Sequence, residues 1–190
     1  MSSHHIVREN QEPALVVHQL DRIDDESLGQ LLEWSPTVIV SDADYDALES
    51  RGIKVDVLFL HEAIYDLDIQ AHTKLHAIDS SFLKGALDYL VANHHKAVNI
   101  IAGAIDQDLL ISYSHLLDIV VLDARRRAVI VQSPYEKWKA KGERILISSV
   151  PNLQTTGLTP LGPQLFETTE SGFFKIAFTG GSYIWIEEER

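Results

Sequence analysis

Residues 37–60 read TVIVSDADYDALESRGIKVDVLFL. The stretch opens on four β-branched residues, Thr37 to Val40, a short apolar run that suits a strand buried on both faces of a parallel sheet. Residues 42–50 follow as a short helix, and Gly52 stands where such a helix would end. Residues 55–60, VDVLFL, supply a second strand. Two parallel strands need a crossover between them, usually a helix, and this stretch provides one.

The same alternation extends outward on both sides. Upstream, residues 14–17 form a short apolar strand. Asp24 and Asp25 then precede Leu28, Leu31 and Leu32, whose spacing gives one helical face with an aspartate as N-cap. Downstream, residues 61–78 give no clear period. Residues 81–93 make the longest predicted helix, capped by Asp79 or Ser80, with Phe82, Leu83, Ala86, Leu87 and Leu90 as its apolar stripe. A strand at 97–102 ends at Gly103, a helix runs over 106–117, and a strand follows at 119–122. This βαβα rhythm predicts a parallel sheet with helices on both faces.

The character changes near residue 128. Beyond it the pattern predicts strands alone, at 128–132, 144–150, 173–178 and 183–186. The last two flank Thr179-Gly180-Gly181-Ser182, which reads as the turn of a β-hairpin. The expected fold class is α/β: a parallel-sheet α/β domain over residues 1–127, then a small antiparallel, sandwich-like β-domain over 128–190.

Composition narrows the partners. The chain has 190 residues, with 16 Lys and Arg against 28 Asp and Glu, a formal charge of −12. Such a surface repels phosphate backbones, so neither nucleic acid nor an anionic membrane is an expected partner. The basic run Arg125-Arg126-Arg127 reads as a solvated turn. The chain has no cysteine, which excludes disulfides, thiolate metal sites and thiol nucleophiles. Residues 1–5 lack a signal-peptide core and no apolar run approaches the roughly 20 residues of a membrane span, so a cytoplasmic address is expected. His72 and His76 are four apart and would share a helix face, with Asp79 near; no third ligand is fixed by spacing, and they read as surface histidines. No generic nucleotide-binding loop is present.

Four segments, in order, carry a family resemblance. Residues 38–48 (VIVSDADYDAL) look like a strand ending in Asp-Gly-Ala before a helix. Residues 52–58 (GIKVDVL) look like a Gly-x-x-Pro-Asp segment. Ala102-Gly103-Ala104 is similar to a Gly-Ala turn after a central strand. Residues 156–161 (TGLTPL) are similar to Gly-Leu-x-x-Pro-Leu in a β-domain. Together they resemble the thiamine pyrophosphokinase family over residues 14–187. That family transfers a pyrophosphoryl group from ATP to thiamine, with Mg²⁺, and its members pair as homodimers. The resemblance implies catalytic roles for Asp42, Asp56 and Asp108, and ligand contacts from Glu62, Asp79, Thr169 and Ser171, the last two at a thiamine site on a dimer interface.

The departures are as informative. Where the family strand runs into Gly-Asp-x-Asp-Ser, this chain reads Leu60-His61-Glu62-Ala63-Ile64. The Arg and His expected around Asp108 are missing, and the loop holding it is shorter. Pyrophosphoryl transfer depends on positioning and charge neutralisation, and removing one preorganised group costs about 3 kcal/mol of transition-state stabilisation. The expectation is therefore a thiamine pyrophosphokinase-like protein with catalysis impaired or lost. A binding or structural homodimer that kept only the fold, and an active pyrophosphokinase in which Glu62, Asp79 or Asp106 has taken over, are the alternatives.

Overall fold

The structure is a computed structural model and describes residues 12–61 and 68–190. Its first half contains β1 (Ala14–Val17), a 3-10 turn (Leu20–Arg22), α1 (Asp25–Leu32), β2 (Val38–Ser41), α2 (Asp42–Glu49), β3 (Val57–Leu60) and β4 (Lys74–Ala77). It continues with α3 (Phe82–Ala92), β5 (Ala97–Ile101), α4 (Gln107–Tyr113) and β6 (Asp118–Leu122). The six strands stand in the order β4-β3-β2-β1-β5-β6, each parallel to its neighbour.

Alternation along the strands divides two apolar cores between the faces. Leu15, Val17, Val38, Val40 and Leu58 pack with Leu28 of α1 and with Tyr45 and Leu48 of α2. Val16, Ile39, Val57, Phe59 and Ile100 pack with the stripe of α3 and with Leu110 of α4. Helices cover both faces, as the rhythm predicted. Asp24 caps α1, accepting from the Ser27 N–H at 2.8 Å. The cap of α3 is Ser81, which accepts from the Lys84 N–H at 3.2 Å, rather than Asp79 or Ser80. His76 lies on the edge strand β4 and His72 in the turn before it, so no helix face joins them.

After β6 come β7 (Arg126–Val131), β8 (Tyr135–Lys139), β9 (Arg144–Ile147), β10 (Gln154–Thr156), β11 (Leu158–Pro160), β12 (Leu165–Thr168), β13 (Gly172–Ala177) and β14 (Ile184–Glu189). Among the described residues no helix follows α4. β7 folds back antiparallel on β6, and β14, β9, β12 and β11 extend the same sheet to 11 strands. The change of element type near residue 127 therefore falls inside one unbroken sheet. A second sheet, β10-β13-β8, lies over the antiparallel part, and Phe174, Ile176 and Phe178 meet Ile145, Ile147, Phe166 and Ile186 between the two.

Two expectations are corrected here. The strands flanking residues 179–182 are not a hairpin: β13 pairs with β8 and β10 in the small sheet, whereas β14 pairs with β7 and β9 in the large one. Trp185 is buried within the chain, with its indole N–H donating to Glu187 at 2.8 Å. Of the arginine run only Arg125 is in the turn; Arg126 and Arg127 open β7. Among the described residues, no helix is long and apolar enough to cross a membrane.

Candidate functional site

Open α/β sheets gather ligands outside the carboxyl ends of their strands, where the strand order reverses. Here that point lies between β1, which the chain leaves toward β2, and β5, which enters on the opposite side. The exit of β1 is fastened to β5: the His18 and Gln19 N–H groups both donate to the Ile101 carbonyl, at 3.0 and 3.1 Å. The Gln19 side chain then accepts from the Gly103 N–H at 2.9 Å. A Cβ on Gly103 would sit 3.1 Å from the Arg22 Nε and 3.2 Å from the Gln19 Oε1, so the Gly-Ala turn read in the sequence lets the chain pass beneath these two side chains.

His18 stacks on Phe82, with ring centroids 5.8 Å apart. Burial pushes its imidazole below the ordinary value, with Asp44 pulling partly the other way. Asp44 itself is pushed up, mainly by burial. On the next strand Asp42 opens α2. Its Oδ1 lies 2.6 Å from the His61 Nδ1, and its Oδ2 accepts from the His61 N–H at 3.1 Å. Burial opposes ionisation of Asp42, but the hydrogen bonds from His61 outweigh it and hold the carboxyl below its ordinary value.

The other expected residues divide into three groups. Asp79 follows β4 and Asp108 stands in the first turn of α4 after β5, so both share the carboxyl edge with Asp42. Each belongs to a strand two positions from β2, about 10 Å at ordinary strand spacing. Asp56 is at the opposite, amino end of β3. One of its oxygens accepts from the Val38 N–H at 3.0 Å and the other pairs with Lys54. Thr169 and Ser171 lie between β12 and β13; the Ser171 hydroxyl accepts from the Lys141 N–H at 3.0 Å, and the Thr169 N–H donates to the Gly157 carbonyl at 3.1 Å. β12 is seven strand positions from β2, over about 30 Å at the usual spacing. Glu62 lies outside the described residues.

Among the described residues no group of three or more His, Asp or Glu converges as a metal site. With both Asp42 oxygens engaged by His61, the described residues do not fit the Mg²⁺ cradle that the resemblance implied. Sequence reading also missed His18, Gln19 and Arg22. Their place becomes visible only once β1 is known to be the strand at which the order reverses.

No protein-family model and no curated protein sequence matches the chain. Solved structures do. Thiamine pyrophosphokinase from Bacillus subtilis is 16% identical, with a TM-score of 0.63 over 93% of this chain and 97% of that one. Thiamin pyrophosphokinase from Geobacillus thermodenitrificans is 14% identical, with a TM-score of 0.61 over 93% and 96%. Yeast thiamin pyrophosphokinase is 9% identical, with a TM-score of 0.65 over 97% and 88%. The motif resemblance thus has its counterpart in three dimensions: along nearly its whole length this chain has the fold of the thiamine pyrophosphokinases.

Proposed function

We propose that the chain is a divergent thiamine pyrophosphokinase-family protein in which transfer of a pyrophosphoryl group from ATP to thiamine is impaired or lost. One observation carries the reading. At the edge where that reaction needs free carboxylates for Mg²⁺, Asp42 is answered by His61 from its own chain. A leucine precedes that histidine and cannot coordinate a metal. The cytoplasm is the setting that this reading expects.

The distribution of the remaining candidates favours a homodimer. Asp42 and Asp79 stand more than about 30 Å along the sheet from Thr169 and Ser171, and Asp108 stands about 24 Å away. A thiamine site using both groups needs a second copy to bring them together.

The test uses one sample. Light scattering is expected to give twice the 21.3 kDa chain mass. Incubation with ATP, Mg²⁺ and thiamine, followed through both AMP and thiamine diphosphate, is expected to run about a thousandfold or more below an intact enzyme of the family. Turnover near 1 s⁻¹, in the ordinary enzyme range of about 1–10³ s⁻¹, would sink the reading. Alanine substitution of Glu62, Asp79 and Asp106 would then show which acid has taken over.

A further inference from the structure

One face of the large sheet carries two separate apolar cores. α1 and α2 cover it over β1, β2 and β3, and the small sheet covers it over β7, β14 and β9. Leu15, Asn99, Val120, Val129 and Ile186 are register partners in turn, a row running straight across from β1 to β14. Its two ends are buried, one in each core, but Asn99, Val120 and Val129 between them are only half-buried. The gap is a groove of about 470 Å³ over β6 and β7. Val120 and Val129 line it, β8 contributes Tyr135 and Lys137, and Arg127 and Asp118 complete the lining.

The charges around the groove do not cancel at Arg127. Glu188 is its register partner on β14, yet that carboxylate is already taken. Lys137 donates to its two oxygens at 2.8 and 2.5 Å, and Lys139 lies 3.3 Å away while also pairing with Glu143. Three cations therefore share two carboxylates. Among the described residues the half-buried Arg127 guanidinium has neither an ion pair nor a hydrogen bond. Asp118 does not supply the missing charge. It stands four residues before Leu122, the register partner of Arg127, which is about 13 Å along an ordinary strand. The Tyr135 hydroxyl is likewise without a partner among the described residues. Burial, and then Glu188, push its ionisation up, with Arg127 pulling partly the other way, so the phenol keeps its proton and is a donor.

We infer that this groove binds a small carboxylic acid with an apolar body, the carboxylate on Arg127 and Tyr135 and the body on Val120 and Val129. A guanidinium out of full solvent needs a charged acceptor, and its planar fork meets both oxygens of a carboxylate. The valines favour an apolar body, so a bare inorganic anion would leave half of the groove unused. The volume lies within the range of small-molecule sites, about 300–1,000 Å³. The groove is on the face of the sheet, lined by the first half of β6, and so lies apart from the carboxyl edge where Asp42, Asp79 and Asp108 stand. The inference is therefore independent of the pyrophosphokinase reading, and thiamine, a cation, is the wrong charge for Arg127.

The experiment is a two-dimensional amide NMR titration of the isotope-labelled full chain at about pH 7, where carboxylic acids are ionised. The probes are phenylacetate and hexanoate, with phenylacetamide and acetate as controls for the charge and for the apolar body. Saturable shifts of amides in β6, β7 and β8 are expected with both acids, and binding at least about tenfold weaker with each control. Arg127→Met keeps the apolar stem and should weaken phenylacetate by at least about tenfold; Tyr135→Phe should weaken it by about fivefold. Arg127 has no partner to lose, and matching thermal melts check that its variant is folded. The comparison of acid with amide on the unaltered chain decides the matter without any variant. No saturable shift with either acid, equal binding of phenylacetamide, or undiminished affinity in Arg127→Met would each overturn the inference. Shifts of the same amides on dilution alone would give the groove to a second copy of the chain and overturn it as well. ATP, Mg²⁺ and thiamine are absent throughout, so this result and that of the activity assay stand apart.

Discussion

Replacing Glu188 by alanine should destabilise the protein by about 3 kcal/mol, because its carboxylate is the ionic tie between the two sheets. Glu188 belongs to β14 in the large sheet, and its side chain is only 3% exposed. Across the core, Lys137 of β8 reaches its two oxygens at 2.8 and 2.5 Å, and Lys139 reaches one at 3.3 Å. Breaking a buried pair from one side typically costs about 3–5 kcal/mol, because a charge is left in the interior without a counter-charge. The lower end applies here. Lys139 retains Glu143 at 2.5 Å, and the Lys137 side chain, 31% exposed, can turn toward water. For a chain of this size, about 2–4 °C per kcal/mol turns the loss into a melting temperature lowered by about 6–12 °C. Urea unfolding followed by circular dichroism and tryptophan fluorescence measures the change. Hydrogen exchange should show the β8 amides losing protection first, because that strand loses its tie to the large sheet. The control is Glu136→Ala on the same strand. Its pair with Lys175, at 3.2 Å, is open to solvent, so its loss should stay within about 0.5 kcal/mol. A Glu188→Ala variant no less stable than Glu136→Ala would refute the reasoning.

Stability should fall as pH drops from about 7 toward 5. His18 and His95 are both pushed below the ordinary imidazole value, burial being the first cause in each, and among the described residues the His95 Nδ1 has no hydrogen-bond partner. The unfolded chain therefore takes up protons near pH 6.5 before the folded one does, and the stability present above that pH is lost below it. The carboxyls held low, such as Asp42, Asp88 and Asp123, act only below about pH 4. A urea midpoint that stays level or rises from pH 7 to 5 would contradict this, and His95→Leu should flatten the slope. Gly157→Ala should cost about 1–2 kcal/mol, because a left-handed residue with a Cβ is strained by that amount. Gly157 has φ +77°, and its Cβ would lie 3.4 Å from the Phe174 Cα, leaving little room to relax. An unchanged unfolding midpoint would argue against it.

The parallel half was legible where its strands are buried on both faces and its helices carry one apolar stripe each, whereas the edge strand β4 (KLHA), exposed throughout, left no period to read. Residues 37–60 announce both patterns, and β2, α2 and β3 fall within two residues of where they were expected. The antiparallel half was less so. β8 reads YEKWK, and its inward positions include Lys137 and Lys139, whose ammonium groups are accepted in the interior only because Glu188 lies opposite. A strand that faces its core with lysines gives no apolar alternation to find. The glycine pair at 180–181 misled for a related reason. A tight turn and a crossing from one sheet to the other both call for glycine, and only strand pairing separates them. The crossing is fixed by contacts remote in sequence: the Phe178 N–H donates to the Ser133 hydroxyl at 3.0 Å, and the Thr179 N–H to the Pro151 carbonyl at 3.4 Å. At the site, the missing acids were plain from residues 60–64. That His61 would turn back onto Asp42 was not, because an imidazole beside a strand end has no preferred partner until the neighbouring strand is placed.

The two halves of the carboxyl edge now carry opposite electrostatics. Toward β2, β3 and β4 it holds Asp42, Asp44 and Asp79; toward β6 and β7 it holds Arg22, Arg125, Arg126 and Arg190. Phosphate can be held at such an edge through a divalent cation bridging to carboxylates, or directly by guanidinium groups. The first route needs acids that are free and close together. Asp42 is engaged by His61, and among the described residues no three His, Asp or Glu side chains converge as a metal site. The second route needs cations whose charge is not already cancelled, but Arg22 pairs with Asp21, and Arg126 pairs with Asp123 and Glu187. Arg190 lies close enough to Asp24 to add to the Ser27 hydrogen bonds that hold its carboxyl low. Between the two halves, Gln19 closes the crevice by accepting from the Gly103 N–H, and Arg22 lies directly over the same glycine.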